Sequence, residues 1–186
     1  ATGIETLTGG TGDDTITMGG TVTSGVYQLG SGTDVITLAN GTNSLSATNV
    51  ETISGGTGAD TVTFGAAITG AVANLGAGSD SLTLAAGGNI VTASGVELIT
   101  GGADADELTL TAALSGGTID LAAGADRLTL AAGGNTITVS NVESLTGDIN
   151  ADNITLGANQ ASGTIDLAAG SDSLTLATGT NALTVA

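Results

Sequence analysis

The feature that most constrains the fold of this chain is an internal repeat of 46 residues. Eight aspartates close short loops of small residues, and the spacing between successive aspartates alternates between 20 and 26 residues. They are Asp14, Asp34, Asp60, Asp80, Asp106, Asp126, Asp152 and Asp172. The same period is kept by Glu5, Glu51, Glu97 and Glu143 and by Asn43, Asn89, Asn135 and Asn181. A fixed period of this size is typical of solenoids, in which each unit packs on its neighbours.

Four such units account for nearly all of the 186 residues. Their approximate bounds are 3–48, 49–94, 95–140 and 141–186. We therefore predict a single repeat domain over residues 1–186. The first and last units have the same pattern as the middle two, whereas a repeat stack normally ends in a polar capping unit. This leads us to expect that the four units belong to a longer chain.

Within each unit the hydrophobic period is two, which predicts strands. Each loop aspartate is followed by a variable residue, an apolar residue, threonine and a second apolar residue, as in TVTF at 61–64. One further strand completes the shorter part of the unit, and two complete the longer part. Strands this short bury an apolar face only when identical turns stack on one another. We predict an all-β parallel β-solenoid with about two turns per unit, roughly 40 Å long at about 4.8 Å per strand.

The charge of the chain limits its partners. Eighteen acidic residues face a single basic one, Arg127, for a formal net charge of −17. This excludes nucleic acid, whose phosphates need Lys and Arg, and favours cations. No His, Cys or Lys is available as a base or nucleophile, so we predict that the chain is not an enzyme. No apolar run is long enough to span a bilayer, so we expect no membrane insertion.

The aspartates need a counter-charge if stacking places all eight in one column on one edge. Two unit charges about 4.8 Å apart repel by about 0.9 kcal/mol in water and about 3.5 kcal/mol at an effective dielectric constant of 20. Seven neighbouring pairs then cost about 6 to 24 kcal/mol, which rivals the typical stability of a domain. Carboxylate and carbonyl oxygens suit Ca²⁺, and the lack of His and Cys disfavours zinc and copper. All eight loop aspartates are therefore candidate Ca²⁺ ligands.

Two other interpretations of these residues stay open. Gly and Asp are the best turn formers, so the loops could be corners that need no metal. The four glutamates could add ion ligands or accept hydrogen bonds from backbone donors at the corners, and we favour the second role.

Two loops carry a recognisable motif. GGTGDDTIT (9–17) and GGTGADTVT (55–63) match the nonapeptide G-G-x-G-x-D-x-U-x at every defined position. LGSGTDVIT (29–37) and LGAGSDSLT (75–83) differ only at the first glycine, and the other four loops keep the aspartate and the apolar position. In these motifs the chain resembles the RTX, or haemolysin-type calcium-binding, family.

The resemblance implies a right-handed parallel β-roll, Ca²⁺ between stacked loops, and secretion from a bacterium. The family's motifs run in tandem and build turns of 18 residues, whereas here the aspartates lie 20 or 26 residues apart. We therefore expect larger turns with one edge that carries aspartate. We also expect weaker binding in the later loops, which have lost glycines.

These observations favour an extracellular rod stabilised by calcium. We expect a repeat segment of a bacterial surface-layer, adhesin or matrix-filament protein, with calcium ions as partners and with a capacity to associate end to end or laterally. The alternative is the calcium-binding domain of a secreted RTX toxin or enzyme whose active part lies elsewhere.

Overall fold

The computed structural model describes residues 3–186, so the first two residues of the predicted domain lie outside it. The described residues form twenty short strands joined by turns, without a helix. The strands are β1 (Thr6–Thr8), β2 (Thr15–Thr17), β3 (Thr23–Gln28), β4 (Val35–Thr37), β5 (Asn43–Thr48), β6 (Thr52–Thr57), β7 (Asp60–Phe64), β8 (Thr69–Ala77), β9 (Ser81–Thr83), β10 (Ile90–Ser94), β11 (Leu98–Thr100), β12 (Glu107–Leu110), β13 (Ser115–Asp120), β14 (Arg127–Thr129), β15 (Thr136–Ser140), β16 (Ser144–Thr146), β17 (Asn153–Leu156), β18 (Thr164–Asp166), β19 (Ser173–Thr175) and β20 (Thr184–Val185).

The strands form two sheets of ten. The odd-numbered strands make the first sheet and the even-numbered strands the second, and neighbours in each sheet are parallel. Because the chain changes sheet at every strand, one turn holds one strand of each sheet. Nine full turns separate β1 from β19, which corresponds to a rod about 43 Å long at about 4.8 Å per turn. The predicted parallel β-solenoid is confirmed.

Each 46-residue unit contains five strands, so it makes two and a half turns. The estimate of about two turns is close, but the extra half turn moves equivalent residues to opposite sides of the rod. Asp14 precedes β2 in the second sheet, Asp60 opens β7 in the first, and Asp106 precedes β12 in the second again. The prediction of one edge that carries all the aspartates is therefore wrong, because the eight are divided equally between two edges.

The turns are also shorter than expected. Ile16 pairs with Ile36 across a turn of 20 residues, and Ile36 pairs with Ile53 across a turn of 17. These two lengths bracket the 18-residue turn that the family resemblance implies. The wide spacing of the aspartates arises because some turns carry no aspartate at the corresponding position.

Alternate residues of both sheets point into a thin core. The predicted inward residues are buried through the middle of the rod, including Ile36, Val62 and Leu82, and the two largest side chains, Tyr27 and Phe64, are also inside. The Tyr27 hydroxyl donates a hydrogen bond of 2.7 Å to the Ile4 carbonyl, so its polar tip is satisfied. The threonines between the apolar columns point outward, as predicted.

One corner keeps the same backbone conformation in every unit. Gly3, Asn49, Gly95 and Asn141 occupy equivalent positions and have φ values of 62°, 53°, 58° and 53°. Glycine and asparagine tolerate this left-handed conformation best, whereas most L-residues are strained there. The choice of residue therefore maintains the corner that directs the chain towards each glutamate two residues later.

Candidate functional site: two edge ladders

Polar side chains line both edges of the rod at the points where strands begin. Along each edge, successive turns contribute Asp, Asp, Glu, one mostly apolar residue and Asn, and then the order repeats. One edge holds Asp14, Asp34, Glu51, Ile68, Asn89, Asp106, Asp126, Glu143, Gln160 and Asn181. The other holds Glu5, Val22, Asn43, Asp60, Asp80, Glu97, Leu114, Asn135, Asp152 and Asp172. We call these two series the edge ladders.

The acidic side chains of each edge ladder accept hydrogen bonds from the preceding turn. The backbone N–H of Asp60 donates to Asp80 Oδ1 at 2.7 Å, and the N–H of Asp80 donates to Glu97 Oε2 at 2.8 Å. The same pair of bonds recurs in the equivalent turns. The predicted role of the glutamates as acceptors for backbone donors is therefore confirmed for Glu51, Glu97 and Glu143.

The asparagines connect one acidic run to the next. Asn43 donates from its backbone N–H and from Nδ2 to Asp60 Oδ1, at 3.1 and 2.7 Å. Its Oδ1 accepts the N–H of Val22, and Nδ2 also donates to the carbonyls of Ala39 and Gly41. Sequence reasoning treated these asparagines only as turn residues. The signal that could have revealed their role is that they share the period of the aspartates.

The central aspartates are shielded from solvent. Asp34, Asp60 and Asp126 have no exposed surface, and Asp80, Asp106 and Asp152 are 1 to 2% exposed. At the ends of the rod Asp14 is half-buried and Asp172 is exposed. All eight predicted site residues thus lie in the edge ladders, but they meet only in neighbouring pairs.

One oxygen of several carboxylates has no hydrogen-bond partner. This buried Oδ2 atom belongs to Asp34, Asp60, Asp80, Asp126 and Asp152. In Asp106, by contrast, Oδ2 accepts the N–H of Gly102 at 2.8 Å. A buried polar atom without a partner is costly, and more so when it carries charge. These oxygens are therefore the atoms of the edge ladders that most need a cation or a proton.

The same environment raises the pKa of two of these carboxyl groups. Burial is the main cause for both Asp80 and Asp126, and it outweighs the opposing hydrogen bond from the N–H of the preceding aspartate. The neighbouring carboxylates raise the pKa further: Asp60 and Glu97 act on Asp80, and equivalent residues act on Asp126.

A glycine in the loop allows the backbone to pass close to the carboxylate. A Cβ on Gly55 would lie 2.1 Å from the Leu75 carbonyl oxygen and 2.6 Å from Asp60 Oδ2. A Cβ on Gly9 would meet the equivalent atoms at 2.3 and 2.6 Å. A carbonyl oxygen and a carboxylate oxygen from adjacent turns therefore converge at the first glycine of the motif, and any side chain there would separate them.

The donor atoms suit a hard cation in kind, because they are carboxylate and carbonyl oxygens without nitrogen or sulfur. They do not gather many carboxylates at one point, and the described residues contain no group of three or more acidic, His or Cys residues that could hold a metal ion. The reason is the spacing of about 4.8 Å between turns, which allows one ion to reach only two successive carboxylates. The remaining ligands would be backbone carbonyls or water.

The division between two edges leaves the expected charge repulsion in place. Four Asp–Asp contacts and three Asp–Glu contacts join successive turns in the edge ladders. Seven like-charged neighbour pairs therefore remain, although they form short runs separated by Asn and apolar residues. The electrostatic argument for a counter-charge depends on these runs and not on a continuous column.

No protein-family model, curated protein or solved structure matches the chain. Among residues 3–186, no helix is long and apolar enough to cross a membrane.

Proposed function

We propose that this chain is a structural rod: a repeat segment of a bacterial surface-layer, adhesin or matrix-filament protein that works outside the cell. The observation that carries the proposal is the continuity of the two edge ladders, which repeat the same hydrogen bonds through successive turns. Each unit adds length along one axis and presents the same groups as the unit before it. Such an architecture is suited to spanning distance.

The rod is held together along its length by three repeated features. Parallel strand pairing joins every turn to the next, the aliphatic core is continuous, and the edge ladders tie the strand ends. Bending the rod would disturb all three at once. We therefore expect a stiff particle whose length grows by about 12 Å per unit, from two and a half turns of about 4.8 Å.

Calcium completes the proposal as the counter-charge of the buried carboxylates. The residues that would hold it are successive aspartates such as Asp60 and Asp80, through the Oδ2 atoms that lack partners, together with nearby loop carbonyls. A bound ion would supply positive charge to two carboxylates at once. Because the unfolded chain lacks this arrangement, the free energy of binding would add to the free energy of folding.

The extracellular location is supported by the RTX resemblance and by this chemistry. At low free Ca²⁺ the acidic chain repels itself and stays unfolded, a state that can be exported. At the millimolar Ca²⁺ found outside cells, sites of moderate affinity fill. Folding would then coincide with arrival at the cell surface or matrix.

A calcium titration followed by far-UV circular dichroism tests the proposal, with Mg²⁺ as a control and a chelator to reverse the change. We expect a cooperative rise in β signal between about 10⁻⁴ and 10⁻³ M Ca²⁺, the range of extracellular modules. A complete β signal in chelator would refute the calcium part. The rod itself is tested by electron microscopy, where particles that are not elongated to about 43 Å would refute it.

A further inference from the structure

The hydrogen bonds of the edge ladders all point in one direction along the rod. Each runs from an N–H of one turn to a side-chain oxygen of the following turn, as from Asp80 to Glu97. An edge ladder therefore begins with acceptors that have no donor and ends with donors that have no acceptor. The first and last described turns carry these two kinds of group.

The groups on the two end faces are complementary in identity as well as in direction. On the first turn, Glu5 has no preceding turn to cap, although its three equivalents each accept an aspartate N–H. On the last turn, the N–H of Asp172 has no following glutamate. Asn181 Nδ2 donates to the Ala177 carbonyl but lacks the aspartate oxygen that its equivalents bind, whereas Asp14 lacks an asparagine donor.

The geometry of the repeat matches the same two faces. Four units make ten full turns, so a second copy stacked on the last turn continues each sheet without rotation to the other side. From these features we infer that the last turn of one copy binds the first turn of a second copy, head to tail. The inference rests on the rod proposed above and extends it from a single segment to a filament.

The register of this joint follows from equivalent pairs inside the rod. β9 pairs with β11 through Leu82 opposite Ile99 and Thr83 opposite Thr100. The equivalent strands at the joint are β19 and β1 of the next copy, so Leu174 lies opposite Leu7 and Thr175 opposite Thr8. By the same reasoning from β10 and β12, Val185 lies opposite Met18 of the next copy.

The end faces leave apolar surface for this joint to cover. Val185 is 58% exposed although it occupies an inward position, and Leu7 and Leu174 are only half-buried. Two acidic rods repel each other, so stacking should strengthen as salt or divalent cations screen the charge. The joint would add about 4.8 Å to the rod, which gives filaments with a repeat of about 48 Å per copy.

Thiol crosslinking tests the register directly because the chain contains no cysteine. Thr8→Cys and Thr175→Cys place one thiol on each end face at exposed, outward positions. We expect a covalent dimer when the two variants are mixed and oxidised in Ca²⁺ or in high salt, and little dimer from either variant alone. Equal dimer from one variant alone would show a symmetric or lateral contact and would overturn the inference.

A second pair of variants tests the joint without cysteine. Val185→Glu puts a charge into the joint while leaving the separate rod unchanged, and Ile149→Glu adds the same charge at a loop position that is 79% exposed and away from both ends. Sedimentation velocity should show end-to-end association weakened at least about tenfold by the first change and little altered by the second. Equal effects would overturn the inference.

Circular dichroism of the same samples separates this inference from the proposed function. Chains that are folded in Ca²⁺ but neither crosslink nor associate would refute the stacking and leave the rod intact. Chains that are unfolded in Ca²⁺ would refute the rod and the stacking together.

Discussion

Replacing Asp80 by Asn should change the stability of this protein in opposite directions with and without calcium. Asp80 is buried between Asp60 and Glu97, one turn away on either side, and its Oδ2 has no partner. Asparagine keeps an oxygen that can accept the Asp60 N–H and removes the negative charge. Without calcium the wild-type carboxylate is repelled by both neighbours, so its removal should stabilise the fold.

The size of the effect follows from the spacing of the turns. Each neighbour about 4.8 Å away contributes about 3.5 kcal/mol of repulsion at an effective dielectric constant of 20, so two contribute about 7 kcal/mol at most. An asparagine N–H buried without a partner costs about 1 to 3 kcal/mol in return. Allowing for screening by solvent, we expect Asp80→Asn to raise the free energy of unfolding in chelator by about 2 kcal/mol or more.

In saturating calcium the sign should reverse, because Asp80→Asn removes one of two carboxylates from a shared ion site. The assay is thermal unfolding followed by circular dichroism in chelator and in about 5 mM Ca²⁺, where 2 kcal/mol corresponds to a shift of about 4 to 8 °C for a chain of this length. Asp166→Asn is the matched control, since Asp166 lies on the exposed face of β18, and it should change stability by less than about 0.5 kcal/mol. Destabilisation by Asp80→Asn of equal size in both conditions would refute the reasoning, because Asp80 would then act only as a hydrogen-bond acceptor.

Three further predictions concern the loops and the pH dependence. Gly9→Ala should destabilise the fold by about 1 to 3 kcal/mol, because its Cβ would collide with a carbonyl and a carboxylate oxygen, whereas Gly10→Ala, which meets nothing within 4 Å, should be nearly neutral in the same denaturant titration. Ala122 has a φ of 68° at a position where earlier units have glycine, so Ala122→Gly should raise the free energy of unfolding by up to about 1 kcal/mol, and a decrease would contradict the strain argument. Because folding raises the pKa of Asp80 and Asp126 above the ordinary 3.8, the folded chain holds these protons more tightly. Without metal ions the free energy of unfolding should then be greatest below that value and fall as pH rises through the raised pKa; chemical denaturation in chelator that showed greater stability at about pH 7 than at about pH 4 would contradict this.

Much of the fold could be predicted from the sequence because it is written in short-range patterns. The alternation around Ile36 and Val62 identifies strands and their inward faces without reference to any other part of the chain. The 46-residue period then requires equivalent strands to stack in parallel. The glycines before the aspartates follow from the same local logic, since a loop that passes close to a carboxylate has no room for a Cβ.

The candidate site was predicted only in part. The sequence identifies the eight aspartates as a set and correctly suggests that glutamates such as Glu97 accept backbone hydrogen bonds. It does not show that Asn43 bridges two acidic runs, because asparagine is equally common in turns that bind nothing. Nor does it show which carboxylate oxygens lack a partner, since that depends on how the loop of the next turn covers each aspartate.

By itself, then, the sequence determined that five strands form each unit, which side of each strand is apolar, and that units stack in register. Only the tertiary structure decided how many strands close one turn, because that depends on which strands face each other across the core and not on any local pattern. Two strands per turn and five per unit give a half turn left over. That half turn divides the aspartates between two edges and places acidic, apolar and asparagine positions next to one another in each edge ladder.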